Sequence, residues 1–359
     1  IPPHYSGVVQ YEKQGADSNA PTRVVPVSDA PVLLINPQTG DVLFESWTNA
    51  QGQYTILLSS DVPNNAVLRV VARYSGPAID AGVFQDPDGS VLWDSQWDPA
   101  IDTNLTITDT YAAGAFNIHA MLRKVDESMF DLVPETTPPF LTIRWLREKQ
   151  LPCVSCYYTD TYTMDLTGIV GDEDGHDDSV ILHELGHYIE DAWGVYDNPG
   201  GSHDREHVDP LLAWSEGFAT WFQGALRNEA NYIDNTPNGQ YFLDLENPPE
   251  DTLGLQGSLP DALVSEALVY SVLWDLTDDS PEEETVQYPM EDVARVIVGL
   301  THHHDVGVPG ADFMDFLNDW RCNHPSFEDD AALQIVLESV DFPMDMTVTP
   351  VCLAPSTNP

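Results

Sequence analysis

Five consecutive residues, His183-Glu184-Leu185-Gly186-His187, constrain this chain more than any other segment. Side chains four residues apart lie one above the other on a helix, so both imidazoles of this segment can reach one metal ion. The glutamate after the first histidine is turned about 100° away, where it can face a water molecule on the same ion. The pattern predicts a helix with a zinc site, in which His183 and His187 are ligands and Glu184 is the general base.

The third zinc ligand is predicted on a second helix. A catalytic zinc ion takes three protein ligands and keeps one position for water. The stretch from Leu211 to Phe222 has apolar residues at helical spacing, which indicates a buried helix. Glu216 is its one charged residue, and a buried carboxylate needs a partner that zinc can supply. The metzincin class is excluded, because Glu190 and Trp193 replace its glycine and third histidine.

These two helices, the second with Glu216 followed by Gly-Phe-Ala, resemble the gluzincin zinc metallopeptidases, the class that contains thermolysin. The resemblance implies His183, His187 and Glu216 as zinc ligands, Glu184 as general base, and a protein or peptide as substrate. The segment between His187 and Glu216 is longer than in thermolysin-like members. With its Gly-Gly-Ser-His sequence ending at His203, it is similar to secreted bacterial proteins of the class.

No residue matches the transition-state tyrosine or histidine of thermolysin-like enzymes. His203 is one candidate for contact with the oxyanion or substrate, and a solvated loop histidine is its alternative. Tyr270 is the other candidate, and its alternative is core packing. Glu266 and Asp275, on the same predicted helix, are interpreted as partners of a zinc-bound histidine or as surface and capping residues. The consecutive histidines 302–304 are interpreted as an incidental loop.

The first hundred residues show short runs of alternating apolar residues separated by turn residues, which predicts an all-β sandwich. Its best strands are Val32–Ile35, Tyr54–Leu58, Ala66–Ala72 and Leu105–Ile107. The segments Pro31–Ile35, Thr39–Val42 and Thr48–Tyr54 resemble the transthyretin-like or carboxypeptidase-regulatory-like module. That module implies an accessory role.

After Thr108 the apolar period changes to that of a helix over Tyr111–Val125. Strands are predicted at Leu141–Trp145 and Tyr162–Val170, the second as an edge for an extended peptide, and the zinc-site helix at Ser179–Trp193. We therefore predict an α+β chain. An N-terminal β-sandwich (residues 1–108) precedes a mainly helical, zincin-like metallopeptidase domain with a small mixed sheet (residues 109–359).

The charge balance is strongly acidic, with 59 acidic and 13 basic residues and a net charge of −46. Such a field repels nucleic acid and anionic membranes, so nucleic-acid partners are excluded. No apolar run is long enough for a membrane span. The loop Asp172–Asp178 is predicted as a solvated helix cap; it lacks the EF-hand spacing, and calcium binding is its alternative.

Four cysteines form an even set, and we predict the disulfides Cys153–Cys156 and Cys322–Cys352. A redox pair or half of a zinc site is the alternative for Cys153 and Cys156. Disulfides and a start at Ile1 predict a secreted protein from which an N-terminal segment has been removed.

Two other functions compete with a secreted zinc peptidase. The first is a structural or adhesive protein with a vestigial zinc site, which would self-assemble through the β-domain. The second is a glycoprotein-directed peptidase, in which Trp93 and Trp97 would stack on a sugar; packing in the sandwich core is the favoured interpretation of both tryptophans.

Overall fold

The computed structural model describes residues 3–15, 21–58, 62–203, 206–278, 287–300 and 305–352. Strands predominate in the N-terminal part and helices in the C-terminal part, with several small sheets, which is an α+β fold, as predicted. The chain divides into two compact units, and each is built from several segments. The first unit contains Ile1–Glu127, Thr137–Ile181 and Ile233–Tyr241; the second contains Ser128–Thr136, Leu182–Tyr232 and Phe242–Pro359.

Two four-stranded sheets occupy the N-terminal part of the first unit. In one, β1 pairs with three strands; in the other the order is β4-β3-β6-β9. In β5, the buried side chains of Tyr54 and Ile56 alternate with exposed ones. All four predicted strands are present. The bounds are β1 His4–Lys13, β2 Arg23–Pro26, β3 Pro31–Ile35, β4 Val42–Trp47, β5 Gln53–Leu57, β6 Val67–Val71, β9 Asp94–Trp97 and β10 Leu105–Ile107.

A five-stranded mixed sheet, with the order β12-β13-β11-β8-β7, follows in the same unit. Its strands are β7 Arg73–Ser75, β8 Asp80–Phe84, β11 Phe140–Trp145, β12 Cys156–Tyr158 and β13 Thr163–Leu166. The predicted strand 162–170 is divided into β13 and a separate short strand at Gly168–Ile169, and the predicted edge position is wrong for β13, because β12 pairs with its outer side. The predicted domain boundary at residue 108 stays a prediction; β8 and β11, from its two sides, are parallel neighbours.

The described residues contain seven α-helices. The zinc-site helix begins at Asp178, one residue before the predicted start, and ends before Gly194 as predicted. The bounds are α1 Ala113–Met129, α2 Asp178–Trp193, α3 Pro210–Arg227, α4 Glu266–Thr277, α5 Met290–Gly299, α6 Phe313–Asn323 and α7 Phe327–Ser339. Within the described part of the chain, none of these helices is both long and apolar enough to cross a membrane.

The acidic loop before α2 is buried, so the prediction of a solvated cap is wrong. Asp174 and Asp177 are each 2% exposed. A short hairpin, β14 Gly168–Ile169 and β15 Asp172–Glu173, precedes the loop, and a second hairpin, β16 Asn231–Thr236 and β17 Gly239–Asp244, contributes partners to it. The Asn235 backbone N–H donates to Asp177 over 2.8 Å. This long-range contact removes the loop from solvent.

Both predicted disulfides are present, Cys153–Cys156 in the first unit and Cys322–Cys352 in the second. Trp93 is buried, and its indole N–H donates to the Trp145 carbonyl, which confirms core packing for this tryptophan.

Helices α3 and α4 of the second unit are in close contact at Gly217. A Cβ atom placed on Gly217 would lie 2.5 Å from Val269 Cβ and 2.8 Å from the Glu266 backbone oxygen. The backbone oxygen cannot move without a shift of α4. Glycine is therefore required at this position for the two helices to approach.

We predict that Gly217→Ala destabilises the protein by about 1–3 kcal/mol, because the added methyl group forces α3 away from α4. Gly299 in α5 has open space around its Cα, so Gly299→Ala should be neutral or stabilising by up to about 1 kcal/mol. Urea unfolding of both variants checks this. Equal stability of the two variants would contradict the close approach at Gly217.

Candidate metal centre

Three buried side chains of the second unit meet at one point. His183 and His187 project from α2, and Glu216 projects from α3. The Nε2 atoms of both histidines lie 3.3 Å from Glu216 Oε2. Tetrahedral zinc with bonds of about 2.0–2.2 Å separates its ligand atoms by about 3.3–3.6 Å. The donor set and its spacing therefore fit a zinc ion.

Hydrogen bonds behind the three side chains orient them. His187 Nδ1 lies 3.3 Å from Ser215 Oγ, and this hydroxyl donates its proton to Glu190 Oε2 over 2.6 Å. Because the hydroxyl proton is engaged there, His187 Nδ1–H donates to Ser215, and the Nε2 lone pair of His187 is directed toward the metal position. His183 Nδ1 lies 3.2 Å from Thr220 Oγ1, a contact that orients the His183 ring.

Glu216 is held by a third contact. The Asn198 side-chain amide donates to Glu216 Oε1 over 2.9 Å. One carboxylate oxygen is thus engaged by Asn198, while Oε2 faces both histidines. Glu216 can therefore bind a metal ion through one oxygen, Oε2.

Burial and mutual charge set the protonation of the cluster. Burial lowers the pKa of His183 to about 4, so this imidazole is neutral. Burial also disfavours a charged His187, but the adjacent Glu216 carboxylate outweighs it and raises the His187 pKa to about 9. The Glu216 pKa lies well below its usual range, because the imidazoles outweigh burial. A metal ion that binds here takes the place of the His187 proton.

Glu184 lies beside the three donor side chains but is not one of them. It is buried, and burial raises its pKa to about 7. Its Oε2 atom has no hydrogen-bond partner among the described residues. A buried carboxylate oxygen with a pKa near neutrality can accept a proton from a water molecule or substrate group.

His203 approaches the same point from the loop between α2 and α3. Its Nε2 lies 3.7 Å from Glu216 Oε2, and its Nδ1 lies 2.7 Å from Glu266 Oε2 at the start of α4. Burial lowers the His203 pKa, but the bond to Glu266 and the charge of Glu216 outweigh burial and raise it to about 9. An imidazolium therefore stands at the edge of the donor set.

Sequence analysis did not predict several residues that contact the three donor side chains. Ser215 and Thr220 lie one residue before and four residues after Glu216, so helical spacing alone could have indicated Thr220. Asn198 and Tyr196 lie in an irregular loop without such a signal. The Tyr196 ring is 5.8 Å from the His187 ring, and the Tyr232 ring is 5.9 Å from that of His183.

The remaining candidates stay predictions. Tyr270 is almost wholly buried in α4, which also fits its core-packing alternative. Asp275 lies on the same helix, five residues beyond Tyr270. The histidines 302–304 lie outside the described residues.

The model of the mycolysin C-terminal domain family matches residues 134–339. The match covers 206 of the 359 residues, which is more than half of the chain. The chain belongs to the mycolysin C-terminal domain family. Mycolysins are zinc-dependent peptidases, so membership indicates a peptidase-related protein with protein or peptide substrates. No curated protein matches the chain.

The matched mycolysin segment contains every residue of the metal centre. It excludes the N-terminal sheets, whose resemblance to a carboxypeptidase-regulatory-like module stays a prediction.

We predict that Ser215→Ala weakens zinc binding about 10–100-fold, because His187 loses the acceptor that orients its ring. Ser271→Ala is the matched control: this buried hydroxyl of α4 donates to the Ala267 carbonyl and should not affect zinc affinity. Competition with a zinc-binding dye measures both affinities. An unchanged affinity in Ser215→Ala would contradict the orienting role.

Proposed function

We propose that the chain is a secreted, gluzincin-type zinc metallopeptidase that hydrolyses peptide bonds. The observation that supports this most is the combination of a three-donor zinc set with the buried, unpartnered oxygen of Glu184 beside it. A structural zinc site would close its shell with a fourth protein ligand and would need no such base.

In the proposed chemistry, a bound zinc ion acts together with the side chains of Glu184 and His203. A zinc ion held by His183, His187 and Glu216 would polarise the scissile carbonyl and lower the pKa of water. Glu184 accepts the proton of the attacking water and delivers it to the leaving amine. His203, fixed by Glu266, donates an N–H toward the oxygen on which negative charge develops.

The proposal also covers the location of the enzyme and its domain organisation. Two disulfides are typical of secreted proteins. We infer that residues 109–359 form the catalytic part and that residues 1–108 form an accessory β-domain.

We predict that Glu184→Gln retains zinc but loses peptide hydrolysis, because the amide cannot accept the proton of water. Glu229→Gln is the matched control, since this exposed glutamate beyond α3 forms an ion pair with Arg227. Zinc-loaded wild type and both variants are incubated with an unfolded, mixed-sequence protein, and mass spectrometry identifies the product termini. Cleavage by Glu184→Gln at the rate of the wild type would refute the assignment of Glu184 as the general base. Absence of cleavage by the wild type would favour the structural or glycoprotein-directed alternatives.

We predict that His203→Gln lowers kcat about 10²–10³-fold and leaves zinc content unchanged, because it removes a charged donor to the oxyanion. His207→Gln, in the same loop, is the control and should keep full activity. Steady-state kinetics and metal analysis measure the two effects. Loss of zinc from His203→Gln would instead make His203 a metal ligand.

A further inference from the structure

A second group of carboxylates lies within the first unit, apart from the zinc donors. Asp172 belongs to β15, Asp174 to the loop before α2, and Asp234 to β16. One oxygen from each of the three lies within 4.8 Å of the others. Asp172 and Asp174 are buried, and Asp234 is partly buried. Three acidic groups from two distant segments of the chain thus converge.

Two oxygens of this cluster have no hydrogen-bond partner among the residues that the structure describes. Asp174 is 2% exposed; one of its oxygens accepts from the Ser155 hydroxyl, and its Oδ1 is buried and unpaired. Asp234 Oδ1 is also buried and unpaired. An unpaired buried carboxylate oxygen costs about 1–3 kcal/mol or more, so native proteins satisfy such atoms with water or ions.

No basic side chain among the described residues balances the charge of the cluster. In the described part of the chain, no lysine or arginine forms an ion pair with Asp172, Asp174 or Asp234. Burial, followed by the charge of Asp234, raises the pKa of Asp174 well above its usual range. Burial, with the charge of Asp172, raises the pKa of Asp234 to about 6. A cation between the three groups would remove this repulsion.

The donor chemistry selects the type of cation. All three donors are carboxylate oxygens, which suit hard cations, whereas zinc sites favour nitrogen and sulfur. Calcium takes several carboxylate oxygens in a flexible shell at about 2.3–2.6 Å, whereas magnesium demands near-ideal octahedral geometry and is usually bound by only one or two carboxylates. Three converging carboxylates therefore fit calcium better.

We propose that Asp172, Asp174 and Asp234 bind one calcium ion, which ties β16 to the loop that leads into α2. The site is separate from the zinc donors and does not depend on peptidase activity. Water molecules complete the shell of six to eight oxygens that calcium takes.

The test is calorimetric titration of the full-length, zinc-loaded protein with calcium chloride at 0.1 M salt. We expect one saturable site in the wild type and at least tenfold weaker binding in Asp174→Asn and Asp234→Asn. Asp160→Asn is the matched control, because Asp160 is exposed and lies outside the cluster. This substitution removes the same charge as the two cluster variants. Its calcium affinity should equal that of the wild type. Equal affinities in all four proteins, or no binding by the wild type, would overturn the proposal.

Thermal unfolding supplies a second signature. In calcium-free buffer both cluster variants should be at least as stable as the wild type, because each removes one repelling carboxylate. Calcium should raise the Tm of the wild type and not that of the variants. If the variants do not fold, a wild-type crystal soaked in terbium decides: anomalous density among the three carboxylates supports the site, and its absence refutes it.

Discussion

The buried carboxylate of Glu216 is the group around which the second unit is organised. A carboxylate removed from water must be compensated, and here two imidazoles and the Asn198 amide surround it. These partners come from α2 and from the loop between α2 and α3. The need to compensate one charge therefore requires two helices and a loop to converge within hydrogen-bond distance.

Glycines lie where the helices of this unit come into contact. At Gly186 of α2, an added Cβ would lie 3.0 Å from the Cα atom of Ala219 in α3, and Gly217 allows a similar approach of α4. Small residues at both contacts let backbones come near each other. The side chains of His183, His187 and Glu216 can then reach a common point. Packing and chemistry consequently impose the same requirement on this sequence.

Glu216 and the cluster of Asp172, Asp174 and Asp234 differ in their surroundings. Glu216 has basic side chains within 3.3 Å, so its charge is balanced by the protein itself. The cluster at Asp172, Asp174 and Asp234 contains only acids, and the Ser155 hydroxyl donates to Asp174. Chemically, the first suits a borderline metal ion with nitrogen ligands, whereas the second suits a hard ion with oxygen ligands. The high acidity of the chain is thus not confined to its solvated surface.

The sequence by itself determined the features that depend on local spacing. The paired histidines, the α3 face with Glu216, and the N-terminal strands all follow from periods of 3.6 or two residues. It also indicated both disulfides, because the cysteine number and neighbouring positions left a simple pairing.

Only the tertiary structure decided which distant segments meet. It placed β12 outside β13, joined His203 to Glu266, and brought Asp234 to the buried loop at Asp174. Periodicity describes one element at a time, and these contacts lie between elements up to 63 residues apart. Their formation depends on how the elements pack, since burial and charge compensation are properties of the assembled fold rather than of any single segment.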